Sequence, residues 1–352
     1  MAILSIFLIG QVVWADDGRL YFIQPAAVDK NTYVLSTQID AMKVGFDLAV
    51  KAFNAKFSKT KCKPDITVNF DLHTDASLVE EVSRISNLPG KKVMIGFTRT
   101  NFARLAAHGS VGTDMIGISS AAISDELRDI NPNFISVGTA YQNHWKATAT
   151  GLKTLNCTPG NTLGIFAYKD VWSGYYKKSF LSDGYKMVAD IDEFSSVPDI
   201  DNKVKCIFLG VSAPRSIQPL SELITKKWPG VIIGTHDWTY FSAEVRELLA
   251  EHKKRITRVY TTIIWHRNDT DESKIWANKY FGKTTVVEPF HVSVYDSTII
   301  ALNYLCRDQN VLEFNADKWK KFGTLRTYQG MSQSGNLETA INFVELPLVE
   351  WN

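Results

Sequence analysis

The chain has 352 residues, 45% of them hydrophobic, which is enough to bury large cores and favours about two domains over one. Charged residues make up 22% and the formal net charge is +2. That balance offers no basic face for nucleic acid and no acidic tail.

The first element is MAILSIFLIGQVVWADDG. Its apolar run from Ala2 to Val13 is too short to span a bilayer, but it fits a signal-peptide core with a small-x-small cleavage site at Val13-Trp14-Ala15. Residues 1–15 are therefore predicted to be an export signal, with a mature protein that is extracytoplasmic and does not span the membrane. The run lacks the usual preceding basic residue, and a hydrophobic first strand is the competing reading.

Short continuous apolar runs follow at 20–24, 66–71, 93–97, 115–118 and 134–137, the pattern of parallel strands buried on both faces. Between the first two, Met42, Phe46, Ala49, Val50, Phe53 and Phe57 recur at three or four residues and form the stripe of an amphipathic helix. A second helix is predicted to start near Ser77, whose spacing to Glu80 matches a capping box, with Leu78, Val79, Val82 and Ile85 behind it. The alternation then restarts. Strands are predicted at 163–168, 204–210, 230–234 and 258–264, separated by helices near 142–155, 173–184, 215–227 and 242–254. A polar stretch, WHRNDTDESKIW, precedes a helix at 292–306, and the chain closes in a turn at Ser334-Gly335-Asn336 and a hairpin or extended strand. Two such series predict an α/β protein of two doubly wound parallel-sheet lobes.

Catalytic signatures are missing. There is no G-x-S-x-G elbow, H-E-x-x-H helix or G-x-G-x-x-G fingerprint, and the Gly-Lys-Thr of NKYFGKTT lacks the first glycine of a phosphate loop. No enzyme activity and no cofactor are expected. Cys62, Cys157, Cys206 and Cys306 are too widely spaced for zinc, and the seven histidines show no ligand spacing, so no metal site is expected. One or two disulfides remain open; Cys206, inside VKCIFLG, reads as a small core residue. Asn156 and Asn268 begin glycosylation acceptor patterns that chance alone produces often.

What remains is the geometry of open α/β sheets, whose ligands sit beyond the carboxyl ends of the strands and face helix N-termini that favour anions. Two consecutive strands break there into polar tips: Thr98, Arg99, Thr100 and Asn101 after the third, and Ser119 to Ser124 after the fourth.

Over most of its length the sequence resembles the type I periplasmic binding proteins, the Leu/Ile/Val-binding and amide-binding family that serves ABC importers. GFDLAVKAFNAK (45–56), VMIGFTRTNFARLAA (93–107), MIGISSAAISDEL (115–127) and NFISVGTAYQNHWKATATGL (133–152) carry the likeness in the first half. LGIFAYKDVWSGYYKKSF (163–180), VIIGTHDW (231–238) and VSVYDSTIIALNYL (292–305) carry it in the second. The resemblance implies two lobes joined by a three-segment hinge, with lobe 1 from 16–139 plus 265–328 and lobe 2 from 140–264 plus 329–352. It also returns the helix at Tyr295-Asp296 to lobe 1.

By the same resemblance a ligand carboxylate would meet Arg99 or Thr100 and the tip Ser119, Ser120, Ala121, Ala122 and Ser124. Lobe 2 would supply Trp172, His236 or Asp237, and Trp238. The sequence departs from the family at Arg99 and Phe102, at Ser173-Gly174 where the family's glycine is displaced by one, and between Glu193 and Val204, which is too short for the usual helix. The implied function is a monomeric carrier that closes on a small carboxylate-bearing ligand, an amino acid or related compound, and hands it to an ABC importer permease. A ligand-sensing ectodomain of the same fold is the alternative; the lack of a transmembrane helix after Asn352 favours the carrier.

Overall fold

The computed structural model describes residues 18–306 and 342–346, leaving out 26–35, 57–61, 123–126, 128–129, 132, 138–140, 169–170, 192–195, 240–244, 246, 249–257, 264–270 and 284–286. The predicted export signal, most of the predicted helix at 242–254, and the turn at Ser334 lie outside the described residues. None of the described helices is long and apolar enough to cross a membrane.

Two sheets organise the chain. The first contains β1 (Arg19–Ile23), β2 (Asp65–Asn69), β3 (Lys92–Gly96), β4 (Ile116–Ser119) and β5 (Phe134–Ser136), all parallel, in the order β2-β1-β3-β4-β5. The second contains β6 (Thr162–Ala167), β7 (Lys186–Ile191), β8 (Cys206–Gly210), β9 (Val231–Gly234), β10 (Arg258–Ile263) and β11 (Asn342–Leu346). Its order, β7-β6-β8-β9-β10, repeats the winding of the first sheet, and β11 adds antiparallel to the outer edge of β10. The two doubly wound lobes predicted from the apolar alternation are therefore present.

Helices cover both faces of the first sheet, which is why its central strands are apolar without alternation. On one face Leu20, Phe22, Val93, Ile95, Ile116 and Ile118 pack against α1 (Ser36–Lys56) and the last helix of the described chain. On the other, Tyr21, Ile23 and Met94 pack against α2 (Asp75–Ser86) and α3 (Thr100–Gly109). The stripe of α1 buries Met42, Phe46, Ala49 and Phe53 as its spacing predicts. Gly45 lets α1 approach the last helix closely, because a Cβ there would lie 2.3 Å from the His291 carbonyl oxygen.

The second sheet carries α4 (Tyr141–Thr154), α5 (Val171–Ser182) and α6 (Ala213–Thr225). After β10 come α7 (Asp271–Phe281) and α8 (Pro289–Leu305); α8 packs on α1, β1, β3 and β4 of the first sheet before β11 returns to the second. The chain thus passes between the two sheets three times.

Four sequence expectations need correction. The capping box of α2 is Thr74 with Ser77: the Ser77 amide donates to Thr74 Oγ1 and the Thr74 amide to Ser77 Oγ, both at 3.1 Å. The serine hydroxyl at the third helical position does what the expected Glu80 would do, and the helix starts earlier than predicted. Strand β7, KMVADI, is missing from the predicted elements because Lys186 and Asp190 break up its short apolar run at the edge of the sheet. Helix α7 is hidden in the polar stretch because, among its described side chains, only Trp276 and Ala277 are buried. Finally, Cys206 is buried but is not a free core thiol: it pairs with Cys157, and Cys62 pairs with Cys306. Both bonds are internal to one sheet and its helices, so neither ties the two units together.

Candidate functional site

The carboxyl edge of the first sheet begins at β1, whose last residue is followed by the fully buried Gln24. The neighbouring strand β3 ends in two left-handed residues, Gly96 at φ 131° and Phe97 at φ 58°. A side chain at 96 is impossible, since its Cβ would fall 1.8 Å from the Ile23 carbonyl oxygen. Phe97 has no such licence: a bulky residue in that region is strained by about 1–3 kcal/mol and persists only where its surroundings hold it. Three bonds do so here. The Thr98 amide donates to Gln24 Oε1 at 3.1 Å, Ser119 Oγ donates to the Phe97 carbonyl at 2.7 Å, and the Ser120 amide donates to the Gly96 carbonyl at 2.7 Å.

The polar tip after β4 therefore divides into two roles. Ser119 is wholly buried and its hydroxyl also accepts the Ala122 amide at 2.9 Å, so its bonding capacity is spent on shaping the turn. Ala122 is packed in the cluster of α2 and α3, and Ala121 is half-buried against the cluster of α1 and α8. Ser120 differs: its hydroxyl is buried without a hydrogen-bond partner among the described residues. Ser124 lies outside the described residues.

The strained turn delivers the chain to Arg99, the N-cap of α3, with Thr100 as the first helical residue, both half-buried. Arg99 caps nothing with its side chain, and no carboxylate of the described residues pairs with it. Burial alone moves its guanidinium, down to about 10. A guanidinium with no carboxylate partner among the described residues, set at a helix N-terminus, makes a local positive potential of the kind that favours anions.

The second sheet repeats the device with different residues. Ser173 Oγ accepts the Ala167 amide at 2.7 Å and donates to the Gly210 carbonyl at 2.5 Å, tying β6 to β8 across the point where the strand order reverses. Thr235 Oγ1 donates to the Val211 carbonyl at 3.0 Å, and Thr261 Oγ1 to the Thr235 carbonyl at 2.6 Å. The serine that displaces the expected glycine by one position is thus a buried clamp.

Trp172, in the first turn of α5, joins a ring cluster that sequence reasoning found only in part. It meets Tyr141 at 5.0 Å, Tyr176 at 5.6 Å and His236 at 4.6 Å, and its indole N–H is buried without a partner. Tyr141 stacks on Tyr175 at 4.5 Å, and His236 on His144 at 3.7 Å. Tyr141, His144, Tyr175 and Tyr176 were missed; the spacing of 141 and 144–145, and of 172 and 175–176, on one face of each helix was the available signal.

His236 is buried and shares a hydrogen with Tyr176 through Nδ1 at 3.0 Å, so it belongs to this cluster. Trp238 is 1% exposed and packs in the core of the second sheet beneath Gly234. The backbone of Asp237 lies in the short helical turn His236–Thr239, and its side chain is outside what the structure describes.

The winding of both sheets, the reversal points at β1/β3 and β6/β8, and the triple passage between the units can now be set against known proteins. No family model and no curated protein sequence matches the chain. Solved structures do. An ABC transporter substrate-binding protein from Desulfitobacterium hafniense, in complex with Leu, superposes with a TM-score of 0.67 at 11% identity, covering 94% of this chain and 97% of that one. The fold is that of the type I periplasmic binding proteins. LivJ from Streptococcus pneumoniae, a branched-chain amino acid transporter substrate-binding protein in complex with isoleucine, gives 0.66 at 13% identity over 93% and 99%. A solute-binding protein of an ABC transporter from Rhodopseudomonas palustris HaA2, in complex with p-hydroxybenzoic acid, gives 0.65 at 13% identity over 94% and 93%. Arg99 and Trp172 both lie at carboxyl ends of strands, β3 and β6, where open α/β sheets as a class hold their ligands.

Two buried histidines give this protein a definite acid response. Burial, with His144 as the second cause, holds the His236 imidazole well below the usual histidine range; burial lowers His291 to about 4, against a smaller opposing effect of the Glu288 backbone. Both are neutral when folded, while the unfolded chain takes up protons near pH 6.5. Their stabilising contribution is complete above that pH and is lost as the pH falls towards the folded values. For His291 the loss is roughly 1.5–2 kcal/mol between pH 6.5 and 5, and His236 acts in the same direction. Melting temperature followed by circular dichroism should fall over that interval, and His291→Gln should flatten the slope.

Proposed function

We propose that the chain is an extracytoplasmic, non-enzymatic solute-binding protein whose two lobes close around a small carboxylate-bearing ligand for delivery to an ABC importer permease. The observation that carries this reading is Arg99: half-buried, shifted by desolvation alone, and without a counter-charge among the described residues. A buried cation is costly unless something anionic completes it, and a guanidinium binds a carboxylate through two parallel N–H donors.

The ring cluster around Trp172 supplies the opposing wall. It can enclose a branched aliphatic chain or an aromatic ring. The similar folds were solved with Leu, isoleucine, p-hydroxybenzoic acid and 3,4-dihydroxybenzoic acid, ligands that share a carboxylate and an apolar body. Both disulfides support an oxidising, extracytoplasmic location, since such bonds are rare where glutathione keeps thiols reduced. Closure is the functional step because a permease can tell loaded from empty only if one ligand engages both lobes.

A thermal-shift panel of leucine, isoleucine, p-hydroxybenzoate and 3,4-dihydroxybenzoate, with leucinamide and benzamide as uncharged or cationic counterparts, tests the ligand class. Stabilisation confined to carboxylates is expected; hits only among the amides would overturn the anion site.

A further inference from the structure

The buried hydrogen bonds at the edge of the first sheet are not spread evenly: they converge on one strained turn. Gln24 comes from the end of β1, has no exposed surface, and uses both ends of its amide. Oε1 accepts the Thr98 amide, and Nε2 donates to the Pro25 carbonyl at 3.2 Å. Its own backbone amide is held by the Asn69 carbonyl of β2 at 3.2 Å. Thr98 follows the strained Phe97 and precedes Arg99. Ser119 grips the same turn from β4 and is itself fixed by the Ala122 amide. Four strand ends, β2, β1, β3 and β4, are thereby linked in a line that passes through the single position where a non-glycine residue at a strand tip sits at φ 58° among the described residues.

We propose that Gln24 is the positioning residue of the anion site, locking the Phe97 turn that fixes the place of Arg99 in the empty protein. The proposal rests on the reading of Arg99 given above. Physically, Phe97 in the left-handed region is a minor state that relaxes to an extended conformation when released. Relaxation would move the α3 N-cap. A ligand would then have to reorder the turn, and its affinity would drop by that amount. Gln24 needs no contact with the ligand for this effect.

Two variants separate positioning from bulk stability. Gln24→Met keeps the volume and removes both hydrogen bonds. Gln24→Glu, when protonated in its buried setting, restores an acceptor for Thr98 and a donor for Pro25, and loses that donor when ionised. Affinity for the carboxylate that stabilises the wild type best, leucine or p-hydroxybenzoate, is measured by calorimetry from pH 8 to pH 6. Hydrogen exchange at the Thr98, Ser120 and Ala122 amides is measured without ligand.

Gln24→Met should bind about tenfold more weakly at every pH, the scale of the single bond that holds the Thr98 amide. Gln24→Glu should be weak at pH 8 and recover towards wild type at pH 6. In Gln24→Met all three amides should lose protection together, because the tips are one frame. Wild-type affinity in Gln24→Met, or loss of protection confined to Thr98, would overturn the proposal. If the wild type binds no carboxylate while the three amides still loosen together, the frame stands and the reading of Arg99 fails.

Discussion

Arg99→Met is expected to weaken carboxylate binding about a hundredfold, the worth of a paired, charge-assisted hydrogen bond, while making the empty protein more stable. The two effects have one cause. In the empty protein the guanidinium is partly stripped of water and has no counter-charge among the described residues, so it contributes nothing favourable and carries a desolvation penalty. A methionine fills the same space without that penalty, and replacement of an unfavourably buried charge by an apolar side chain gains about 1 kcal/mol or more. Binding sites commonly trade stability for function in this sense. Denaturant unfolding of both proteins without ligand, and calorimetric titration with the best acid of the panel, measure the pair of effects. A less stable variant would mean that Arg99 is a structural ion-pair member, and unchanged affinity would remove it from the site.

The second large effect concerns the disulfides. Cys62–Cys306 closes a loop of 244 residues and Cys157–Cys206 one of 49. On the loop-entropy relation, their removal should cost about 5.5 and about 4 kcal/mol respectively. Cys306 caps α8, which packs on the first sheet, and Cys62 precedes β2 of that sheet; Cys157 follows α4, and Cys206 opens β8 of the second. Each bond therefore stabilises one lobe and leaves movement between lobes free. The paired serine variants should unfold at much lower denaturant concentration yet keep ligand affinity within a few fold. A variant with unchanged stability and altered affinity would show that the bond restrains closure instead.

Much of this fold was legible because buried parallel strands announce themselves as unbroken apolar runs, as β3, β4 and β8 do here. Strand β7 escaped because Lys186 and Asp190 break its short apolar run, and helix α7 because most of its described side chains face solvent or are half-buried. The candidate site was legible as position only. The tips at Arg99 and Ser119 could be placed from the strand ends. That Ser119 shapes a turn while Ser120 is left without a partner depends on which way each hydroxyl points, and two adjacent serines carry no such information. Trp238 looked equivalent to Trp172 in the sequence; Gly234 decides otherwise by leaving room for the indole in the core. Gln24 gave no signal at all, since a lone glutamine after a strand is commonplace and its role depends on a φ value two strands' worth of sequence away.

The central claim, closure of two lobes on a carboxylate at Arg99, is tested most directly by small-angle X-ray scattering during titration with the acid that gives the largest thermal shift. The wild type should contract as the ligand saturates, and Arg99→Met should keep its unliganded radius of gyration at the same concentration. A wild type that saturates without contracting, or an Arg99→Met protein that contracts equally, would contradict the account.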